Sequence, residues 1–401
     1  MRKVLEIDDN KLTATNIRVK LPIKRYEKFS GIYNIKFFGE DNLYPQKLRD
    51  LVHASPSASI CYRRYKDFIF GAGIKGGDEA MVNYSQSLND LLNEAADSVA
   101  MFGGVAFHLQ FNAVGKVVGI HVLPFETIRL GEDDDFGYIR DYAYSPDWSE
   151  CEITRNGKEV NNQTDIIRYL PYTDRADICV KRIADAKGVE NYNGEVLYIS
   201  NSRAYPISTA DSVLADMSTE GGLQNIAYRN ARCNFKPASI IVYKHGTEQA
   251  NKRFEDTIRA MIGDESSSGV AVVKVSSFDD MPQSLELKTE NYDDAYKTTT
   301  EVVQERIYAA YKQEPFYLIR TGHVGFGGDV ESDAFNLMNI SVKNERAVIE
   351  RALKRIVKRW GGDRLPEIKI GDILYDKDES TINTNANVTK KQEDDDDDSK
   401  G

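Results

Sequence analysis

The sequence lacks the short motifs that mark familiar catalytic and metal centres. It has no GxxxxGKS/T phosphate loop, no HExxH, no GxSxG and no CxxC pair. Its 4 cysteines, Cys61, Cys151, Cys179 and Cys233, stand far apart, and none has a histidine at ligand spacing. A disulfide framework, a zinc site and a cofactor are therefore not expected, and the thiols should be reduced. No stretch approaches the roughly 18 apolar residues of a membrane helix. The first residues, MRKVLEIDDNKLT, start basic but lead into no apolar segment, so a signal peptide is not expected. Net positive charge is also lacking: 52 Lys and Arg stand against 63 Asp and Glu, leaving −11. A protein whose main task is to grip phosphates needs the opposite balance. A conduit that lets nucleic acid slide does not, because an acidic wall repels the backbone.

What is present is a globular composition, 41% hydrophobic over 401 residues, with a change of character midway. The first half reads as mixed α+β. Helices are expected over Leu43–Val52, with Pro45 at the start, over Ala58–Phe70, and over Leu88–Phe102. Period-two runs at Val105–Phe111 and Lys116–Leu123 flank Asn112-Ala113-Val114-Gly115, a hairpin pattern. Tyr138–Tyr144, Cys151–Thr154 and Ile166–Tyr169 read as further strands. Ser208, three residues before Asp211, then opens a long helix to about Phe235, with a bend or break expected at Gly221-Gly222. A small β-α-β-β unit follows: Ser239–Tyr243, a helix carrying Phe254, Ile258, Met261 and Ile262, then Gly269–Val275 and Leu285–Leu287. It is too small to stand comfortably alone. A second long helix returns over Tyr292–Lys312 and is expected to end at Pro315. One last helix is expected over Glu331–Trp360, with an apolar stripe from Val348 to Trp360. From Lys377 the chain is polar and finishes in Glu393 and Asp394–Asp398, the composition of a disordered acidic tail.

Gly71-Ala72-Gly73-Ile74-Lys75-Gly76 fits GxGxxG, but it follows a helix and precedes Asp78-Glu79, so a glycine turn is the preferred reading over a pyrophosphate site. Thr321 to Asp329 is a second glycine cluster, either a connector or a loop that projects towards a substrate. The basic residues of 346–359 suit a solvated or intersubunit face better than a phosphate site.

Several segments together resemble the portal proteins of tailed bacteriophages. They are Phe38-Gly39-Glu40-Asp41-Asn42-Leu43-Tyr44-Pro45, Phe68-Ile69-Phe70-Gly71-Ala72-Gly73-Ile74, His121-Val122-Leu123-Pro124 with Ile128-Arg129, Tyr205-Pro206-Ile207, Asn234-Phe235-Lys236-Pro237-Ala238, Glu314-Pro315-Phe316-Tyr317-Leu318 and Gly327-Gly328 through Leu353. The likeness spans about residues 35–370 and is nearest the group found in phages and prophages of Bacteroidetes-type hosts. It departs at Phe316, where a second proline is usual, at Gly221-Gly222, and in the acidic tail.

The resemblance implies a portal-like α+β fold: a mixed α/β wing (1–205), two long stem helices (206–237 and 291–313) bracketing a small α/β clip (238–290), and a C-terminal tunnel and crown region (314–376), then the tail (377–401). It implies a non-enzymatic ring, usually of twelve subunits, at one capsid vertex of the virion, assembled in the host cytoplasm, through which double-stranded DNA passes without sequence-specific binding. Implied partners are further copies of the chain, the large terminase subunit, a head–tail connector, and the major capsid and scaffolding proteins; no membrane is involved. The tunnel loop would be Gly322, His323, Val324, Gly325, Phe326, Gly327 and Gly328. The clip would dock partners through Lys252, Arg253, Glu255, Asp256 and Arg259. Two other readings stay open: another virion or adaptor protein, and an enzyme using a pocket behind glycines 71–76.

Overall fold

A computed structural model describes residues 29–30, 33–149, 166–232, 240–244, 271–275, 292–323 and 328–375. Two short strands, β1 (Phe29–Ser30) and β2 (Ile35–Lys36), precede helices α1 (Tyr44–Ala54), α2 (Pro56–Phe70) and α3 (Leu88–Phe102). The starts follow local chemistry. Pro45 and Pro56 occupy first-turn positions where no N–H is needed, and Ser55 caps α2 by accepting from the Ala58 N–H. Ser87 and Asp90 form a reciprocal capping box on α3, and Gly103 ends it at φ 78°.

Strands β3 (Gly104–Phe111) and β4 (Val117–Leu123) form the expected hairpin, followed by β5 (Ile128–Leu130), β6 (Tyr142–Tyr144), β7 (Ile167–Pro171), helix α4 (Ala176–Asp185) and β8 (Glu195–Ser200). The sheet order is β4-β3-β8-β7-β6-β5, antiparallel except at β7·β8. α3 packs on this sheet and on α2, and one apolar cluster runs from α1–α3 through the sheet into the later helices. A satellite cluster of Tyr33, Ile35, Phe37, Ala143 and Trp148 closes the β5–β6 end.

After a 3-10 turn over Thr209–Val213 come α5 (Leu214–Arg232), the parallel pair β9 (Ile240–Lys244) and β10 (Ala271–Val275), and helices α6 (Tyr292–Ala310), α7 (Glu314–Thr321), α8 (Gly328–Ser341) and α9 (Lys343–Val357). Parallel strands need a crossover of a dozen or more residues, which suits the stretch between β9 and β10. The expected helix of that stretch, the strand at Leu285–Leu287 and the strand at Cys151–Thr154 lie outside the described residues.

Four expectations need correction. The helix α5 runs unbroken through Gly221 and Gly222, because Met217 and Glu220 are buried beside them and tertiary anchoring outweighs the helix penalty of about 1 kcal/mol per glycine. Pro315 opens α7 rather than merely closing α6; α6 has already ended, and Lys312 takes φ 58°. The single last helix is two, meeting at buried Val342, where the Ser341 hydroxyl donates back to the Leu337 carbonyl. Of Tyr138–Tyr144 only the last three residues are strand; a tight turn precedes them.

His108 and His121 face each other across β3 and β4, their rings 6.3 Å apart. Burial holds both imidazoles below the ordinary value of 6.5, and mutual repulsion adds to this at His108. The unfolded chain therefore binds more protons as pH falls through 6.5, so acidification destabilises the fold. Between pH 6.5 and 5.5 the Tm should fall by roughly 2–4 °C more than in a His108→Gln/His121→Gln variant. Equal slopes in the two proteins would remove this pair from the account.

Candidate functional site

The feature that sets this chain apart is a pair of long helices, α5 and α6, packed on each other. Asp216, near the start of α5, lies 3.4 Å from Arg306, near the end of α6, so the two run antiparallel. Their burial is lopsided. At the domain end Met217 and Glu220 of α5 and Val303, Ile307 and Tyr308 of α6 are in the core. Beyond them no described side chain of either helix is buried: Tyr228 is 61% exposed, and residues 297–302 are exposed or half-exposed. The pair therefore projects from the α+β body, and the chain between its far ends contains β9 and β10.

The base of this projection is held by buried polar groups. The Glu220 carboxylate, 4% exposed, accepts from the Ser57 N–H at 3.1 Å, from the Ser57 hydroxyl at 2.6 Å and from the Ser55 hydroxyl, capping α2 from α5. Ser208 donates to the Met101 carbonyl at 2.6 Å and Tyr44 to Asp211, fixing the entry to α5. At the exit of α6, fully buried Gln313 donates to the Cys61 carbonyl at 2.7 Å and accepts from Arg64 at 3.0 Å. Burial pushes the Cys61 thiol up to about 12, so it packs as a neutral group.

The expected tunnel loop leaves from beside this base. Gly322 terminates α7 at φ 73°, with its N–H on the Ile319 and Leu318 carbonyls. His323 is exposed, its ring nitrogen Nδ1 2.7 Å from the Thr321 hydroxyl. Gly328 begins α8; Val324, Gly325, Phe326 and Gly327 lie outside the described residues. α7 is seated on α6 through Tyr317 and Tyr308, rings 5.3 Å apart, and through Arg320, which donates to the Tyr308 hydroxyl at 3.0 Å. Lys252, Arg253, Glu255, Asp256 and Arg259 also lie outside the described residues.

The GxGxxG segment is a turn after a helix, and the chain itself fills it. The Ala72 N–H donates to the Gly371 carbonyl at 3.0 Å, the Gly371 N–H returns to Gly73 at 3.0 Å, and Ile74 bridges Ile370. Gly71 has φ 66°, and a Cβ there would run into the Gly371 oxygen. The Asn89 amide takes up the Ile74 N–H and the Asp78 carboxylate. The space where a pyrophosphate would approach is thus occupied by protein.

The basic run of 346–359 divides. Arg346 and Arg359 are buried and hold backbone carbonyls, those of Phe68 and of Thr173 and Gly115 respectively. Arg355 pairs with Asp174 at 2.7 Å and Lys354 with Glu350 at 3.1 Å. The two buried arginines were not separable from the exposed ones by type or spacing; only their contacts distinguish them. Sequence reading also missed α4, β8 and the Glu220 node. Among the described residues no group of three or more His, Cys, Asp or Glu could hold a metal ion, and no helix is long and apolar enough to cross a membrane.

No family model and no curated protein matches the chain. Among solved structures it is similar to a chain in the neck of a native gene transfer agent particle computed with C12 symmetry, at 13% identity and a TM-score of 0.48, over 79% of this chain and 82% of that one. It is similar to a chain in the neck of an empty particle of the same kind computed with C6 symmetry, at 13% identity and a TM-score of 0.42, over 85% and 88%. It is also similar to an HK97 family phage portal protein from Corynebacterium diphtheriae, at 11% identity and a TM-score of 0.29, over 76% and 96%. Likeness at these values leaves the function to be argued from the chain's own geometry.

Proposed function

We propose that this chain is a portal-type subunit of a phage-like particle: a non-enzymatic ring protein at one capsid vertex, a conduit for double-stranded DNA and a platform for the packaging motor and the head–tail connector. The observation that carries the reading is the projecting α5–α6 pair. A helix pair whose outer half has no buried side chain among the described residues is poorly explained in a lone globular protein, since packing of an apolar face supplies most helix stability. Side-by-side copies in a ring would supply that packing. In this reading 1–205 is the wing, α5 and α6 the stem, the β9–β10 region the clip, and 321–330 the tunnel loop. The acidic balance suits a wall along which DNA slides. The narrower likeness to the Bacteroidetes-type group belongs to this proposal too.

The deciding experiment is negative-stain electron microscopy with mass determination on one sample. Closed rings with an open axial channel are expected. Particles that stay monomeric or dimeric over a wide concentration range would overturn the reading. Deleting 321–330 should leave rings intact while lowering DNA packaging or retention at least tenfold; normal packaging by the deletion would remove the tunnel role. Reversing the charges of Lys252, Arg253 and Arg259 should weaken pull-down of the large terminase subunit by a similar factor, and unchanged pull-down would remove the clip role.

A further inference from the structure

The chain carries a rigid protrusion and a cleft that complement each other. Between β5 and β6 a tight hairpin spans Gly131–Asp141. The Asp134 N–H donates to the Tyr138 carbonyl at 2.7 Å, and Gly137, at φ 80°, donates back to Asp134 at 2.9 Å. The Asp134 carboxylate accepts from the N–H groups of Phe136 at 2.9 Å and Tyr138 at 2.8 Å, so the tip is locked from inside. This locked tip holds two large aromatics in solvent, Phe136 at 82% and Tyr138 at 72% exposure, flanked by exposed Glu132 and Asp135. Preorganised aromatics of this kind are typical anchors of protein interfaces.

The cleft, of about 540 Å³, lies between α9, α3 and the sheet. Its apolar floor includes Val99, Leu197, Val348 and Ala352, and Arg351 and Arg355 stand along one wall. Glu345 lines it too. One oxygen of Glu345 accepts from the Tyr65 hydroxyl at 2.8 Å; the other is buried with no hydrogen-bond donor among the described residues. Such an atom calls for a donor. The volume is in the roughly 300–1,000 Å³ range of binding clefts.

Leu197 and Ile199 of β8 line the cleft, while Tyr198 and Ser200 border both the cleft and the groove beside Phe136 and Tyr138. No residue of the 131–141 hairpin lines the cleft of its own copy, and the tip stays exposed there. A contact of protrusion with cleft between copies is head-to-tail, the type that closes into a ring when its rotation closes.

We propose that the 131–141 hairpin of one subunit seats in the α9 cleft of the next, Phe136 on the apolar floor, the Tyr138 hydroxyl donating to Glu345, and Glu132 and Asp135 facing Arg351. This rests on the ring reading and names its contact. The test uses the full chain with Cys151→Ser and Cys233→Ser; Cys61 and Cys179 are buried. Adding Phe136→Cys with Val348→Cys and a short bismaleimide should give a denaturing-gel ladder running past the dimer, while each single variant gives none. In parallel, Phe136→Ala/Tyr138→Ala should cut the ring fraction at least tenfold at fixed concentration, with Tyr138→Phe intermediate. Rings by microscopy without a ladder overturn this contact and leave the ring reading standing. Cross-linking that stops at dimer overturns the head-to-tail geometry. Absence of both rings and ladder overturns the two together.

Discussion

Replacing Glu220 with alanine is expected to lower stability by about 3–4 kcal/mol and to loosen the base of the α5–α6 pair. The carboxylate accepts from two serine hydroxyls and one backbone N–H, and it sits at the N-terminus of α2, where free N–H groups and the positive end of the helix dipole gather. Truncation removes charge-assisted bonds and leaves the Ser57 N–H buried without its acceptor. A fall in Tm of about 5–10 °C should follow. Glu220→Gln, which keeps the shape but loses the charge, should fall in between. Hydrogen exchange should speed up at residues 214–221 and 303–311 in the alanine variant, because α5 and α6 share this base. An unchanged Tm, or exchange confined to α2, would mean that Glu220 caps one helix and nothing more.

The second large effect belongs to Arg346, 5% exposed. Its guanidinium donates to the Phe68 carbonyl in the last turn of α2, to Asn339 at 2.9 Å, and to Asp372. Asn339 in turn donates to the Ile373 carbonyl at 2.8 Å. One side chain thus ties α2, α8 and α9 to the segment that fills the glycine turn. Burial holds this guanidinium below its ordinary value, so the cluster must be complete for the charge to be tolerated. Arg346→Ala should cost about 3–5 kcal/mol. Limited proteolysis should then cut within 364–375 faster than in the parent protein. Arg346→Lys should recover little, since an ammonium cannot span carbonyl and carboxylate as a planar fork does. Asp372→Asn should cost under about 1 kcal/mol, because the Asp372 side chain is 65% exposed. Comparable losses from Arg346→Ala and Asp372→Asn would overturn the central place given to the backbone carbonyls.

Much of the local structure was legible. The capping box at Ser208, the proline at 45, and the stripes of α3 and α9 act within one or two helical turns, so they leave marks in one dimension. The β3–β4 hairpin was legible for the same reason. β8 was not, although it lies between β3 and β7: six residues, buried at one end and half-exposed at the other, carry too short a pattern to stand out. The break at Val342 escaped because Met338, Val342, Ile349 and Leu353 keep helical spacing across it.

The sequence alone determined α1–α3 and the two long helices α5 and α6, the cap at Ser208, the acidic balance, the missing catalytic and phosphate-loop motifs, and the order of a mixed domain followed by two long helices around a small unit. These depend on composition and on neighbours a few residues apart. The tertiary structure decided that glycines 71–76 cradle residues 370–371, that Arg346 and Arg359 are internal ties while Arg351 borders a cleft, and that Glu220 joins α5 to α2. Each of those joins residues more than 150 positions apart, except the placing of Arg351, and no local pattern encodes which distant backbone a charged side chain will meet.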